Sequence, residues 1–125
     1  MLAERDAIAS LAVRDVKSAK AFYEGTLGLT RVADVGGGAV VYKAGHTEII
    51  VYQSEYAGTN KATALAWRVG NDFDAVMRWL GSRGVRFEHY DMPGLKREGD
   101  FHVADGRKMA WFKDPDGNIF HITSA

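Results

Sequence analysis

The chain has 125 residues, enough for about one domain with a buried core. Lys plus Arg and Asp plus Glu stand at 16 each, so no basic excess exists to neutralise a phosphate backbone, and nucleic acid is not an expected partner. Apolar residues make up 46% and charged residues 26%, which excludes a disordered chain; the apolar runs are too short for a bilayer, and the lack of cysteine excludes disulfides, thiolate metal sites and a cysteine nucleophile.

Taken in chain order, Met1 to Asp6 carry acidic charge and lead into no apolar h-region, so no signal peptide is expected and a cytoplasmic location is the default. Ile8 to Val13 reads as a short strand. Asp15 can cap a helix whose inward stripe is Val16, Ala19, Phe22, Tyr23 and Leu27, and Gly28 stops it. Leu29 to Val35, Ala39 to Lys43 and His46 to Gln53 then read as three strands separated by glycine turns. The pattern starts again at Ala62 to Val69. Asp72 is a second candidate cap, Phe73, Val76, Met77 and Leu80 form a second stripe, and Gly84 a second stop. Val85 to Tyr90, Lys108 to Phe112 and Ile119 to Thr123 follow as strands. Between the first two lies a loop from Asp91 to Gly106, long enough to expect a functional role.

The two halves are a weak internal repeat. Val13, Gly25, Gly28 and Leu29 recur as Val69, Gly81, Gly84 and Val85 at one ungapped offset. The expected architecture is therefore α+β: two βαβββ modules, about 7–54 and about 62–123, in a single domain spanning 1–125.

The most specific motif closes the chain. In Asp114-Pro115-Asp116-Gly117-Asn118, Pro115 presets φ for a turn, Asp116 and Asn118 can bond their own backbone, and Gly117 accepts positive φ between the flanking apolar runs. This turn, together with Val13-Arg14-Asp15, Ala21-Phe22-Tyr23 and Leu27-Gly28-Leu29, resembles the vicinal oxygen chelate superfamily of glyoxalases, extradiol dioxygenases, and bleomycin and fosfomycin resistance proteins. The resemblance covers residues 7 to 123. It implies a curved mixed sheet around a cavity, helices outside, and a homodimer.

Alternation assigns side chains to that cavity. With Leu11 and Val13 against the helix, Ile8, Ser10 and Ala12 face inward; by the repeat so do Ala64, Ala66 and Arg68, and His121 shares a face with Ile119 and Thr123. The resemblance implies metal ligands at four positions, a His or Gln on the first strand of each module and a Glu on the last. Here those positions hold Ile8, Ile49, Ala64 and His121, with Glu48 one residue out of phase. One His does not supply the roughly three ligands that a Lewis-acid metal needs. No metal or other cofactor is therefore expected.

His121 is the single candidate for catalysis, as a general base or a hydrogen-bond partner, with a satisfied core histidine as the alternative. Arg68 must reach the cavity mouth, pair with a carboxylate such as Glu48 or Asp91, or meet an anionic ligand. His102 in the long loop reads as a surface residue. The small side chains Ala12, Ala64 and Ala66 leave a hollow, and Trp111 brings a flat ring to it, which suits a flat apolar ligand. The leading expectation is metal-independent binding of a small apolar or aromatic molecule by Ile8, Ser10, Ala12, Ile49, Ala64, Ala66, Arg68, Trp111 and His121. The alternatives are a lyase, isomerase or dioxygenase of the same superfamily, and a structural or regulatory dimer.

Overall fold

In the computed structural model, which describes residues 1–125, the chain leaves its first strand at Asp15 and turns at once into a helix. The Asp15 carboxylate accepts from the Lys17 amide at 3.3 Å and the Ser18 hydroxyl at 2.6 Å, occupying donors that a helix start leaves open. Helix α1 (Val16–Lys20) does not continue as α to Leu27. It widens into a π turn over Ala21–Thr26, and the Leu27 amide reaches the Phe22 carbonyl at 2.9 Å. Apolar spacing alone does not separate the two forms. Gly28 then takes φ 69° and Gly84, its counterpart in the repeat, φ 87°, a left-handed conformation costly for any residue with a Cβ.

The first unit, Met1–Thr59, is a mixed sheet of β1 (Ala9–Val13), β2 (Thr30–Val35), β3 (Ala39–Ala44) and β4 (Thr47–Gln53) in the order β1-β4-β3-β2. Strands β1 and β4 are parallel and the other pairs antiparallel. Leu11, Val13, Val40, Tyr42, Ile49 and Val51 share the buried face, against Val16, Ala19, Tyr23 and Leu27 of the helical segment. The Tyr23 and Tyr42 rings stack at 5.8 Å, and the Tyr42 hydroxyl donates to Glu24 at 2.8 Å. Burial pushes that hydroxyl far above the usual phenol range, while Arg31, 2.8 Å from Glu24, holds the Glu24 carboxyl below its ordinary value.

The second unit, Asn60–Ala125, repeats the plan with an addition. Strand β5 (Thr63–Arg68) leads through a 3-10 turn at Gly70–Asp72 into α2 (Phe73–Ser82). Asp72 stands at the helix start, yet its side chain makes no capping hydrogen bond, so the second expected cap is one of position only. Strands β6 (Phe87–Glu88), β7 (Lys96–Glu98), β8 (Phe101–Ala104), β9 (Arg107–Lys113) and β10 (Ile119–Thr123) complete the sheet, ordered β5-β10-β9-β8-β7 with β6 also on β9. The expected loop from Asp91 to Gly106 is thus largely a β7–β8 hairpin that extends the sheet. Its sequence hides this because Lys96, Arg97 and Glu98 are all exposed and show no apolar alternation. The buried face carries Ala110, Phe112, Phe120 and Ile122, with Phe73 and Leu80 of α2 also buried. Phe112 meets Phe120 edge-on at 5.4 Å, and Phe73 meets Phe101 likewise at 5.5 Å.

The β9–β10 turn is tied together by one carboxylate. Asp114, 4% exposed, accepts from the Asn118 amide at 2.8 Å, the Asn118 side-chain amide at 2.8 Å and the Asp116 amide at 3.0 Å. The main chain closes the same loop, from Asp114 N–H to Asn118 C=O at 3.0 Å and from Gly117 N–H to Asp114 C=O at 3.1 Å. Asp114→Ala orphans three buried or part-buried donors. It is expected to cost about 3 kcal/mol of stability, read as a lower urea midpoint with an unchanged slope.

Candidate functional site

Each sheet has one face under its helix and one face without it, and the second face carries most of the chemistry-bearing side chains. In the first unit the register pairs Ser10 with Ile50 and Ala12 with Tyr52, so these residues share the open face, and alternation along β4 adds Glu48. Ile49 lies on the other face, 2% exposed, opposite Ala9 and Tyr42. The cavity position assigned to Ile49 from the sequence therefore belongs to Glu48, because the register is one residue off. Ile8 precedes β1, is 47% exposed, and borders a hollow of about 440 Å³ with Asp6, Lys43, His46 and Glu48.

In the second unit the open face centres on two rings. His121 and Trp111 are register partners across β10 and β9, and their rings stack at 4.6 Å. Tyr90 meets Trp111 edge-on at 5.3 Å. Ala66 lies opposite His121 and leaves its flank open, and Arg68 lies one row further, opposite Thr123. Arg68 is exposed and forms no ion pair, so the expected carboxylate partner is not there. Ala64 departs from the expected alternation. Ile119 pairs with Thr63 but Phe120 with Leu65, which leaves Ala64 as the extra residue of a β-bulge. Thr63 takes the face position that alternation had assigned to Ala64. Beside it opens a hollow of about 310 Å³ lined by Lys61, Ala62, Thr63, Tyr90, Met92, Trp111 and Ile119. Of these the sequence had identified only Trp111. Counting by twos from Arg68 misses Lys61 and Thr63 because the bulge changes the phase, and Tyr90, Met92 and Ile119 come from other segments.

Two histidines on this face have defined tautomers. The Nδ1 atom of His121 lies 3.1 Å from the Ala110 carbonyl, which can only accept, so Nδ1 carries the proton and Nε2 keeps its lone pair. His102 is 0% exposed, contrary to its expected surface position, because β8 carries it beneath Tyr90. The Tyr90 amide donates to His102 Nε2 at 3.2 Å, which places the proton of the neutral ring on Nδ1. That buried Nδ1 has no hydrogen-bond partner. The His102 ring also contacts Trp111 at 5.4 Å and His89 at 5.6 Å, so rings run continuously from His89 to His121.

The donor set does not fit the divalent metal that the superfamily resemblance implies. Of the four ligand positions, Ile8 and Ala64 have no donor, the third holds Glu48 in the first unit, and the fourth holds His121 in the second. Neither unit contains a group of three or more His, Asp or Glu side chains that could hold a metal ion. No helix is long and apolar enough to cross a membrane.

Two mixed sheets, each built from a strand, a helix and following strands with one helix-free face, define an α+β fold of paired modules. Residues 6–122 match the family model of the Glyoxalase/Bleomycin resistance protein/Dioxygenase superfamily, and the chain belongs to that superfamily. Among solved structures it is similar to a glyoxalase family protein from Enterococcus faecalis, with a TM-score of 0.73 at 19% identity over 98% of this chain and 99% of that one. A bleomycin-binding protein solved with bleomycin gives 0.71 at 22% over 97% and 98%. A lactoylglutathione lyase from Agrobacterium tumefaciens gives 0.69 at 17% over 96% and 92%. At these identities the likeness is one of fold. No curated protein matches the chain.

Burial lowers the pKa of both His121 and His102 below the ordinary 6.5, with neighbouring His89 and Arg97 adding to the effect at His102. The unfolded chain therefore takes up these protons at higher pH than the folded one. The contribution of these two histidines to stability is fully present above about pH 6.5 and is lost as pH drops toward and through the folded values. Protonating His102 Nε2 also removes the acceptor of the Tyr90 amide. Hydrogen exchange compared at about pH 7.5 and about pH 5 is expected to show protection lost at the Tyr90 amide before the amides of β10.

Proposed function

We propose that this protein binds a small apolar or aromatic molecule, without a metal, on the open face of its second sheet. The observation that carries the reading is the Trp111–His121 ring stack beside the 310 Å³ hollow. A flat ligand laid there covers apolar ring surface and meets an edge-on Tyr90, the arrangement that aromatic groups favour. Small residues support it: Ala66 beside His121 leaves the space that a larger side chain would fill. On the first sheet, Ser10 and Ala12 occupy the equivalent face and belong to the same reading. The bleomycin-binding neighbour is the model for such sequestration by this fold.

A second reading is favoured by the His121 tautomer. A neutral imidazole with Nδ1 anchored to Ala110 and a free Nε2 is a positioned base, so an isomerase, lyase or dioxygenase of the superfamily is the alternative activity. Homodimer formation and a cytoplasmic location complete the proposal. Analytical ultracentrifugation tests the dimer directly.

Titration with planar aromatic compounds, followed by calorimetry, tests the main reading. Trp111→Ala is expected to weaken binding about tenfold. His121→Gln removes one ring of the stack and is expected to weaken binding, though less than Trp111→Ala, whereas it abolishes any turnover that depends on Nε2. Metal analysis of the purified protein is expected to find no stoichiometric divalent ion. A bound ion lost in His121→Ala overturns the metal-independent reading.

A further inference from the structure

We infer that the ligand of this face is an anion, a planar aromatic carboxylate whose ring lies on Trp111 and whose carboxylate meets the Lys61 ammonium. The inference rests on the reading of the open face as a ligand site and adds the chemical class of what it takes. Lys61 is the one charged residue lining the hollow; the rest of the lining is aromatic, aliphatic or neutral polar. It lies on the exposed segment before β5 and forms no ion pair.

The carboxylates that could neutralise it are placed elsewhere. Glu88 shares the face with Trp111 as its register partner, but it is held by Lys113 at 3.1 Å. Asp91, between Tyr90 and Met92 in the chain, lines an adjoining hollow of about 360 Å³ with His89, Leu95 and Arg97, on the other side of the shared Tyr90. At the opposite end of the same strand stands Arg68, exposed and without an ion pair. The open face of β5 therefore carries a cation near each end and no carboxylate, with the stacked rings alongside. A cationic ligand would meet like charge at either end, and a neutral one would leave the Lys61 ammonium unused. An arene carboxylate satisfies both the ring wall and the ammonium, through a charge-assisted contact at the exposed edge of the hollow.

The bulge at Ala64 makes the placement specific to this chain. By shifting phase between Thr63 and Leu65, it puts Thr63 on the open face and turns the segment before it toward Trp111, while Leu65 and Trp67 stay with the core residues Phe120 and Ile122. Unbroken alternation from Arg68 through Ala64 would put Lys61 and Thr63 on the opposite face.

Three matched naphthalene probes, a carboxylate, a carboxamide and a methylammonium, titrated by calorimetry into the full chain at low salt, test the inference. The carboxylate is expected to bind about three- to fivefold more tightly than the carboxamide, the methylammonium least tightly, and added salt to remove the difference. Lys61→Gln is expected to abolish the carboxylate preference, so that carboxylate and carboxamide bind alike. Lys17→Gln, the same charge change on α1, is expected to leave the preference intact.

Equal binding of all three probes, preference for the ammonium, or a carboxylate preference that survives Lys61→Gln overturns the anionic assignment and leaves the ligand face standing. Binding of none of the probes, or binding indifferent to both Trp111→Phe and Trp111→Ala, overturns the ligand face and the assignment with it.

Discussion

The Asp114 carboxylate sets the geometry on which the second sheet depends. By accepting from Asp116 and from both amides of Asn118, it fixes the length of the connection between β9 and β10. A fixed turn length fixes register, and a one-residue slip would exchange the faces of every side chain on β10. The result is that Phe120 falls opposite Phe112 on the helix side while His121 falls opposite Trp111 on the other. Core and candidate site are two faces of one strand pair. A group that holds the turn thereby holds the ring stack without touching it.

The repeat makes a similar division in both halves. A strand leads to a helix, a left-handed glycine ends the helix, and the helix covers one face of the sheet that follows. Burial of large side chains is concentrated there: Tyr23 and Tyr42 in the first unit, Phe73, Phe112 and Phe120 in the second. Each such side chain contributes roughly 1.5–3 kcal/mol of transfer free energy, and stability is mainly a property of those layers. The helix-free faces are then available for chemistry that stability does not require.

What the sequence made legible was whatever repeats with a physical period. The positions of Asp15, Gly28 and Gly84, the burial of Leu11 and Val13, and the opposite faces of Phe120 and His121 all follow from local turn chemistry and alternation. What escaped was whatever breaks a period. The extra residue at Ala64 and the one-residue phase at Ile49 moved two expected site positions, and neither leaves a mark in composition. Strand β7 was hidden because its side chains, Lys96, Arg97 and Glu98, are charged and exposed, and β8 was missed with the partner that it pairs with. His102 was read as surface for the same reason: a histidine in an apparent loop gives no sign of burial until the hairpin is known. The neighbours of Trp111 in the hollow come from three separate segments, joined only by folding.

The bulge in β5 divides that strand into two parts with different duties. After it, Leu65 and Trp67 pair with Phe120 and Ile122, and a change at either is felt in the interior. Ahead of it, Lys61, Ala62 and Thr63 border the hollow and are themselves exposed. Substitutions in those three residues can alter what the face attracts without crossing the interior at all. The strand that anchors the sheet is thus preceded by a short exposed border that can change without rebuilding the core.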